Sequence, residues 1–295
     1  MKIVLIQPDT LIGEALENLI PRETNAQLCR INIAQPPTYN EEWEYTLDFS
    51  DRKLFRKTIL SEKPDIIINP YIITNNKDNL TKEQIWNINV DLNDFLITTA
   101  KIADIHYITF SSELVFDGKR GPYSEDDLVC PTDYLSKSLV ARENSCKQDL
   151  NQITLFRTTK VFGYSSYDNL DEVSEIYVYL QTGIDVEVQN TVLSNPVWNN
   201  DVARAVINAF ERKKFGLYNL GGADFLTEED KVNLISKVFG ISDVDINAEN
   251  APEIKKLGLI NLKAQTDLRI DFTKYENALL VIKYNMDTNF RIMSI

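Results

Sequence analysis

Glycine is scarce in this chain, with 10 in 295 residues, roughly half the usual share of about 7%. Only Gly13 precedes Gly118, so the N-terminal third has almost no backbone freedom for tight phosphate-cradling turns. Cysteine is rarer still. Cys29, Cys130 and Cys146 have no metal-ligand spacing, no metal site is expected, and each reads as a small buried hydrophobe. The single histidine, His106, lies inside the apolar run IHYITF. It reads as a strand or core residue, and a Ser-His-Asp triad would have no other imidazole to use. Positive charge is also in deficit: 31 Lys and Arg against 44 Asp and Glu give a net charge of −13. Such a surface repels a phosphate backbone, and the longest basic run, Arg212-Lys213-Lys214, reads as a solvated helix end, so nucleic-acid binding is not expected. No apolar run reaches about 18 residues and no targeting segment stands out, so no membrane association is expected and the protein is expected in the cytoplasm.

What is present is ordinary globular composition, 43% hydrophobic and 25% charged. Short apolar runs alternate with amphipathic stretches. Residues 2–6, 28–33, 45–49, 65–69, 105–111 and 153–158 read as strands. Residues 11–20, 85–103 and 134–150 read as helices, with Ser50 or Asp51 capping a further helix. That alternation predicts an α/β fold with a doubly wound parallel sheet. Beyond it, residues 176–182 read as helix and 186–188 as strand. A helix over 200–212, capped by Asn199 or Asn200, a strand at 216–220 and a helix over 227–239 follow. The C-terminal stretch 283–295 reads as a packed segment.

Four segments together carry a family likeness: FSSELVFDGKRGPYSEDD at 110–127, the P-(x)6-S-(x)2-A-x-E pattern at Pro131–Glu143, LFRTTKVFG at 155–163, and GLYNLGG at 216–222. In this order and spacing the chain resembles the extended short-chain dehydrogenase/reductases. The likeness is to the dTDP-4-dehydrorhamnose reductase group, to which the regulatory β subunit of methionine adenosyltransferase is related. The resemblance implies a Rossmann-type domain over 1–163 and a small α/β substrate-type domain over 164–295, with about 190–215 returning to the Rossmann core. It also implies NADP or NAD, a keto group on a nucleotide-linked sugar as substrate, and a Ser/Thr-Tyr-Lys centre.

The expected G-x-x-G-x-x-G loop is here Gln7-Pro8-Asp9-Thr10-Leu11-Ile12-Gly13. Gln7 and Thr10 place side chains where phosphate should approach, Pro8 lacks an N–H, Asp9 adds negative charge, and Gly13 serves helix–strand packing. These departures speak against ordinary NADP or NAD binding. Asp48 matches the position near the adenine. Asn69 is followed by bulky Pro70-Tyr71-Ile72 where small residues are implied, and Asn89 also matches. Ser112 holds the Ser/Thr position. Aligned without gaps on Pro131, Ser138, Ala141 and Glu143, Leu135 and Leu139 stand at the Tyr and Lys positions. A one-residue deletion would instead supply Tyr134 and Lys137. The gapless register is favoured because those four anchors support it; Tyr134 and Lys137 would be offset by roughly 100° per residue from the implied geometry, which near-attack geometry does not tolerate. In the sugar site, Lys160 replaces a Trp, Pro196 is kept, and Trp198 holds an aromatic position. Arg157 suits either an anionic ligand or a structural ion pair. The combined expectation is a binding or regulatory subunit of nucleotide-sugar metabolism. It would take a nucleotide sugar or small anion, or pair with a protein partner or a second copy. The alternative is an active reductase or epimerase using Ser112, Tyr134 and Lys137.

Overall fold

The computed structural model describes residues 1–34, 38–39, 43–75, 79–149, 151–165, 172–242 and 245–293. Strand β1 (Lys2–Ile6) is buried on both faces. Ile3 and Leu5 enter one core and Val4 and Ile6 the other, the period-two pattern of a central parallel strand. Around it lie β2 (Gln27–Ile33), β4 (Glu44–Leu47), β5 (Ile66–Asn69), β6 (His106–Ser112), β7 (Ile153–Thr158) and β11 (Gly216–Leu220). The order is β11-β7-β6-β5-β1-β2-β4-β3, with the short β3 (Thr38–Tyr39) antiparallel at the edge and every other pair parallel. The order reverses direction at β1, which defines a doubly wound Rossmann-type sheet.

Helices α1 (Leu11–Glu23), α7 (Asn199–Glu211) and α9 (Leu262–Leu268) cover one face. Helices α2 (Arg52–Ser61), α4 (Leu92–Ile102) and α5 (Tyr134–Lys147) cover the other. The long helix expected from residue 85 starts earlier, as α3 (Lys82–Trp86), because Thr81 and Gln84 form a capping box. It passes through a π-helical turn at Asn87–Asp91 into α4. Fully buried Arg142 of α5 donates to the carbonyls of Ile88 and Asn89 in that turn (3.4 and 3.1 Å).

A second lobe packs α6 (Glu172–Leu180), α8 (Glu228–Phe239) and α10 (Tyr275–Met293) around β9 (Val186–Leu193). There β9 pairs in parallel with β12 (Ile246–Lys256), so residues 190–193 join this small sheet, whereas α7 and β11 return to the large one. A short parallel pair, β8 (Val161–Phe162) with β10 (Val197–Trp198), lies between them.

Four local expectations change. The strand at 186–188 runs on to Leu193 because β12 pairs along it. The helix expected at 176–182 lies at Glu172–Leu180. Trp198, not an asparagine, stands at the cap of α7, and Asn199 instead donates to the Leu11 carbonyl at 3.2 Å. Cys29 and Cys146 are buried as expected, but Cys130 is exposed, on the loop before α5 rather than in a strand or helix face. The Pro-rich loop after β2 and the last residues of the C-terminal stretch fall largely outside the described residues, while Met286 packs on the second lobe's core.

Between β7 and α5, Arg157 and Glu143 form a two-point ion pair, both bonds 2.8 Å, with side chains 1% and 0% exposed. Removing one partner of such a pair strands a buried charge at a cost of about 3–5 kcal/mol, while replacing both by apolar groups costs far less. Glu143→Ala should therefore lose about that much in urea denaturation, and the double change Glu143→Leu with Arg157→Met should lose clearly less. Equal losses would show that the pair's charge is not what matters there.

Candidate functional site

In a doubly wound sheet the crevice for ligands lies beyond the carboxyl ends of the strands. Here that edge carries the β1–α1 loop, the end of β5, Ser112 and the first turns of α5. Helix α1 begins with Thr10, whose hydroxyl accepts from the Gly13 N–H at 3.0 Å. That bond occupies one of the amides of the helix's first turn. A Cβ on Gly13 would lie 2.4 Å from the Pro8 carbonyl oxygen, so the glycine is needed for close packing of loop on helix. Gln7 sits at φ 50°, and its side chain bridges the crevice mouth. Its Oε1 accepts from the Ile33 N–H (2.8 Å) and its Nε2 donates to Asp9 (2.7 Å). The end of β2, where an acid or an arginine normally receives the adenosine ribose, carries Ile33 and Ala34. These residues do not fit a dinucleotide pyrophosphate in the usual pose: side chains of Gln7 and Thr10 occupy the turn, one of its amides is capped, and Asp9 adds charge of the wrong sign.

Asp48, half-buried after β4, accepts from Ser50 N at 2.8 Å. Asn69 is fully buried; it donates to the Tyr107 hydroxyl (3.1 Å) and accepts from Tyr71 N (3.2 Å). Tyr107 and Thr109 both donate to Asn93, Arg142 donates to Thr109, and Asn89 donates to Ser138. This polar network lies beneath the site and was not anticipated from the sequence, apart from Asn69 and Asn89.

Ser112 ends β6, 5% exposed, with Oγ accepting from Leu114 N at 3.4 Å. Helix α5 presents two stripes at four-residue spacing. Tyr134, Ser138 and Arg142 face α3 and the π turn: the Tyr134 hydroxyl donates to the Lys82 carbonyl (3.0 Å), and its ring lies 6.3 Å from Trp86. Leu135, Leu139 and Glu143 form the next stripe. Leu139 is fully buried against Val115 and Phe116, the residues that follow Ser112 in the chain, together with Tyr123, Leu257 and Leu259. Lys137 is exposed.

Sugar-site expectations fare similarly. Arg157 is engaged by Glu143 and by the Glu125 carbonyl, and the Phe116 ring lies under its guanidinium at 5.1 Å. Trp198 is buried in the second lobe's core with Phe162, and Pro196 is buried with its carbonyl against Gly222. Lys160 remains accessible, 56% exposed, and pairs with Glu172 at 2.7 Å; Lys231 reaches the same oxygen at 2.8 Å. Burial would raise the Glu172 carboxyl, but the two lysines outweigh it and hold the group below its usual value.

The residue missed from the sequence is Glu113. Its Oε2 accepts from the Ser194 hydroxyl (2.5 Å) and Gly258 N (3.0 Å), and its Oε1 from Lys160 N (3.1 Å). The signal was a single acid set between the buried strand β6 and the apolar Leu114-Val115-Phe116. Burial pushes its carboxyl up to about 6, against the donors that favour the charged form. Among the described residues there is no group of His, Cys, Asp and Glu that could hold a metal ion. Likewise, no helix among them is long and apolar enough to cross a membrane.

A Rossmann-type sheet with a second lobe folded over its carboxyl edge is the architecture of solved dTDP-4-dehydrorhamnose reductases. The chain belongs to the RmlD substrate binding domain family, whose model matches residues 1–259. It is 24% identical over 180 residues to the spore coat polysaccharide biosynthesis protein SpsK of Bacillus subtilis, covering 60% of this chain and 62% of that one. It is 24% identical over 151 residues to methionine adenosyltransferase 2 subunit beta of Danio rerio, covering 49% and 47%. The chain thus spans between about half and three fifths of the length of these two curated relatives. The structure of a dTDP-4-dehydrorhamnose reductase from Bacillus anthracis, in complex with NADP, superposes with a TM-score of 0.80 at 16% identity, covering 96% of this chain and 98% of that one.

Two predictions follow from the geometry. Gly13→Ala forces Pro8 and α1 apart and should cost about 1–3 kcal/mol in denaturant titrations; an unchanged midpoint would show that the loop yields freely. For Glu113 the folded value lies above the ordinary 4.5. Its stabilising contribution is therefore complete below that ordinary value and is lost as pH rises through about 6. Relative to Glu113→Gln, the wild-type chain should gain about 1 kcal/mol of stability between pH 7 and pH 5. A pH-independent difference would place the Glu113 carboxyl at its usual value.

Proposed function

We propose that this chain is a noncatalytic member of its family, a binding or regulatory subunit of nucleotide-sugar metabolism in the cytoplasm. The observation that carries this reading is the stripe Leu135–Leu139–Glu143 on α5. Leu139 is buried with the segment after Ser112, Glu143 is held by Arg157 and the half-buried Leu135 is apolar, so the stripe offers neither a hydroxyl proton donor nor a cation beside Ser112. The tyrosine next door, Tyr134, has its hydroxyl bonded to Lys82 on the other face. The filled β1–α1 loop supports the same reading, because a redox reaction of this class needs NADP or NAD in place. The ligand is an anionic nucleotide sugar or a related small anion, with Lys160 as the accessible cation at the lobe junction. The protein partner is an enzyme of the same metabolism or a second copy. The relation to a subunit of methionine adenosyltransferase supports such a role.

Calorimetric titration with NADPH and NADH should give no saturable heat up to about 1 mM, while dTDP-glucose should raise the midpoint of thermal unfolding, and Lys160→Ala should reduce that rise. Micromolar NADPH binding, together with turnover of a dTDP-4-keto-6-deoxy sugar that Tyr134→Phe abolishes, would overturn the proposal. That outcome would place catalysis on Ser112, Tyr134 and Lys137.

A further inference from the structure

One carboxylate serves two lysines where the lobes meet. Glu172 is the first residue of α6, and its Oε1 accepts from Lys160 Nζ at 2.7 Å and from Lys231 Nζ at 2.8 Å. Its other oxygen is buried and has no hydrogen-bond partner among the described residues. The charge of this acid therefore depends on the lysines, which together hold it below its usual value.

The two lysines are not equivalent. Lys231, on α8, keeps only 10% of its side chain accessible, and Lys160 keeps 56%. A buried charge that loses its partner is costly, whereas an exposed ammonium turns to water at little cost. Lys231 is thus bound to stay on Glu172, and Lys160 is able to leave. The backbone of Lys160 need not move for that. Its N–H donates to Glu113 at 3.1 Å and its carbonyl accepts from Val197 N at 3.0 Å, so the turn between β7 and β8 is tied on both sides. Lys160 stands two residues beyond Thr158, the register partner of Ser112, which puts its mobile ammonium at the crevice edge on a fixed base. The other acid at this turn, Glu113, already accepts from three donors. An arriving anion therefore meets a cation whose present partner stays neutralised after the cation has gone.

We propose that Lys160 exchanges partners when ligand binds: it passes from Glu172 to an anionic group of the ligand, and Lys231 keeps Glu172 paired. The ion-pair link from α6 to the β7–β8 turn is then cut, while the link from α6 to α8 remains, so occupancy of the crevice is passed to the second lobe. The exchange rests on the reading of this chain as a nucleotide-sugar binding subunit and supplies that reading with a regulatory step. The anionic group is the pyrophosphate or a carboxylate on the sugar, which offer the same kind of oxygen to an ammonium.

Calorimetric titration with dTDP-glucose and dTDP-glucuronate tests the exchange. Lys231→Met makes Lys160 the sole partner of Glu172 and should weaken binding about threefold to fivefold, the worth of one partly exposed ion pair. Glu172→Gln releases Lys160 and should tighten binding by about the same factor. A general field of the charges gives the same two signs, so the deciding chain is Lys160→Ala. In that background both effects should vanish under partner exchange, and a field would leave them in place. Persistence of either effect without Lys160, or unchanged affinity in Lys231→Met with Lys160 present, would overturn the exchange while the nucleotide-sugar reading stands. No binding of either compound to the wild-type chain would overturn both. A preference for dTDP-glucuronate that Lys160→Ala removes assigns the sugar carboxylate as the group taken, and equal affinities assign the pyrophosphate. Lys231→Met leaves Glu172 paired with Lys160 and should keep a wild-type-like unfolding midpoint, so the exchange stays testable where Glu172→Gln unsettles the fold.

Discussion

Glu113 accepts hydrogen bonds from three stretches of chain that are far apart in sequence: the turn after β7, the end of β9 and the end of β12. Two of the three donors are backbone N–H groups, which cannot find another partner inside the protein without the chain moving. The two carboxyl oxygens accept from both N–H groups at once, which an amide cannot do because its NH2 would face one of them; on protonation the carboxyl keeps both bonds by turning its hydrogen toward the Ser194 hydroxyl. The desolvation cost of the buried charge is the physical price of joining the second lobe to the sheet at this point. Because Glu113 follows Ser112 directly, the same bonds fix the end of β6 and the floor of the crevice.

Around that junction, polar groups are satisfied by the protein itself. Asn195 accepts from Leu259 N and donates to the carbonyls of Gly222 and Leu259, closing the same seam from the other side. Arg157 and Glu143 satisfy each other, Asn69 is spent on Tyr107 and Tyr71, and Thr10 on Gly13. A site that performs chemistry keeps donors and charges aimed at where a substrate's charge develops. Here Thr10, Asn69, Glu143 and Arg157 are bonded within the protein, and Lys160, although paired with Glu172, keeps more than half its side chain accessible.

The sheet was legible in the sequence because its strands are short apolar runs buried on both faces, and the Ile3/Leu5 and Val4/Ile6 alternation needs no tertiary information to be seen. Gly13 and Leu139 were legible for the same local reason: a close packing contact and an apolar helix stripe are set within a few residues. What was not legible depends on distant partners. Nothing near Glu113 names Ser194 or Gly258 as its donors, and nothing near Arg142 names the Ile88 and Asn89 carbonyls of the π turn as its acceptors. Arg157 suited either a ligand or an ion pair until β7 and α5 met. Cys130 was misplaced because a cysteine carries no mark of a loop.

A parallel sheet flanked by helices is electrically polar, since every helix starts at the carboxyl edge of the sheet and ends at its amino edge. The carboxyl edge therefore favours anions by default, and the amino edge favours cations. In this chain the first tendency is muted at its usual focus: Thr10 takes the amide, Asp9 adds a negative charge, and Gln7 spans the gap to β2. The scarcity of glycine belongs to the same account. Without small residues the β1–α1 turn is occupied by its own side chains, Gln7 and Thr10, at the place where the fold's built-in anion site lies.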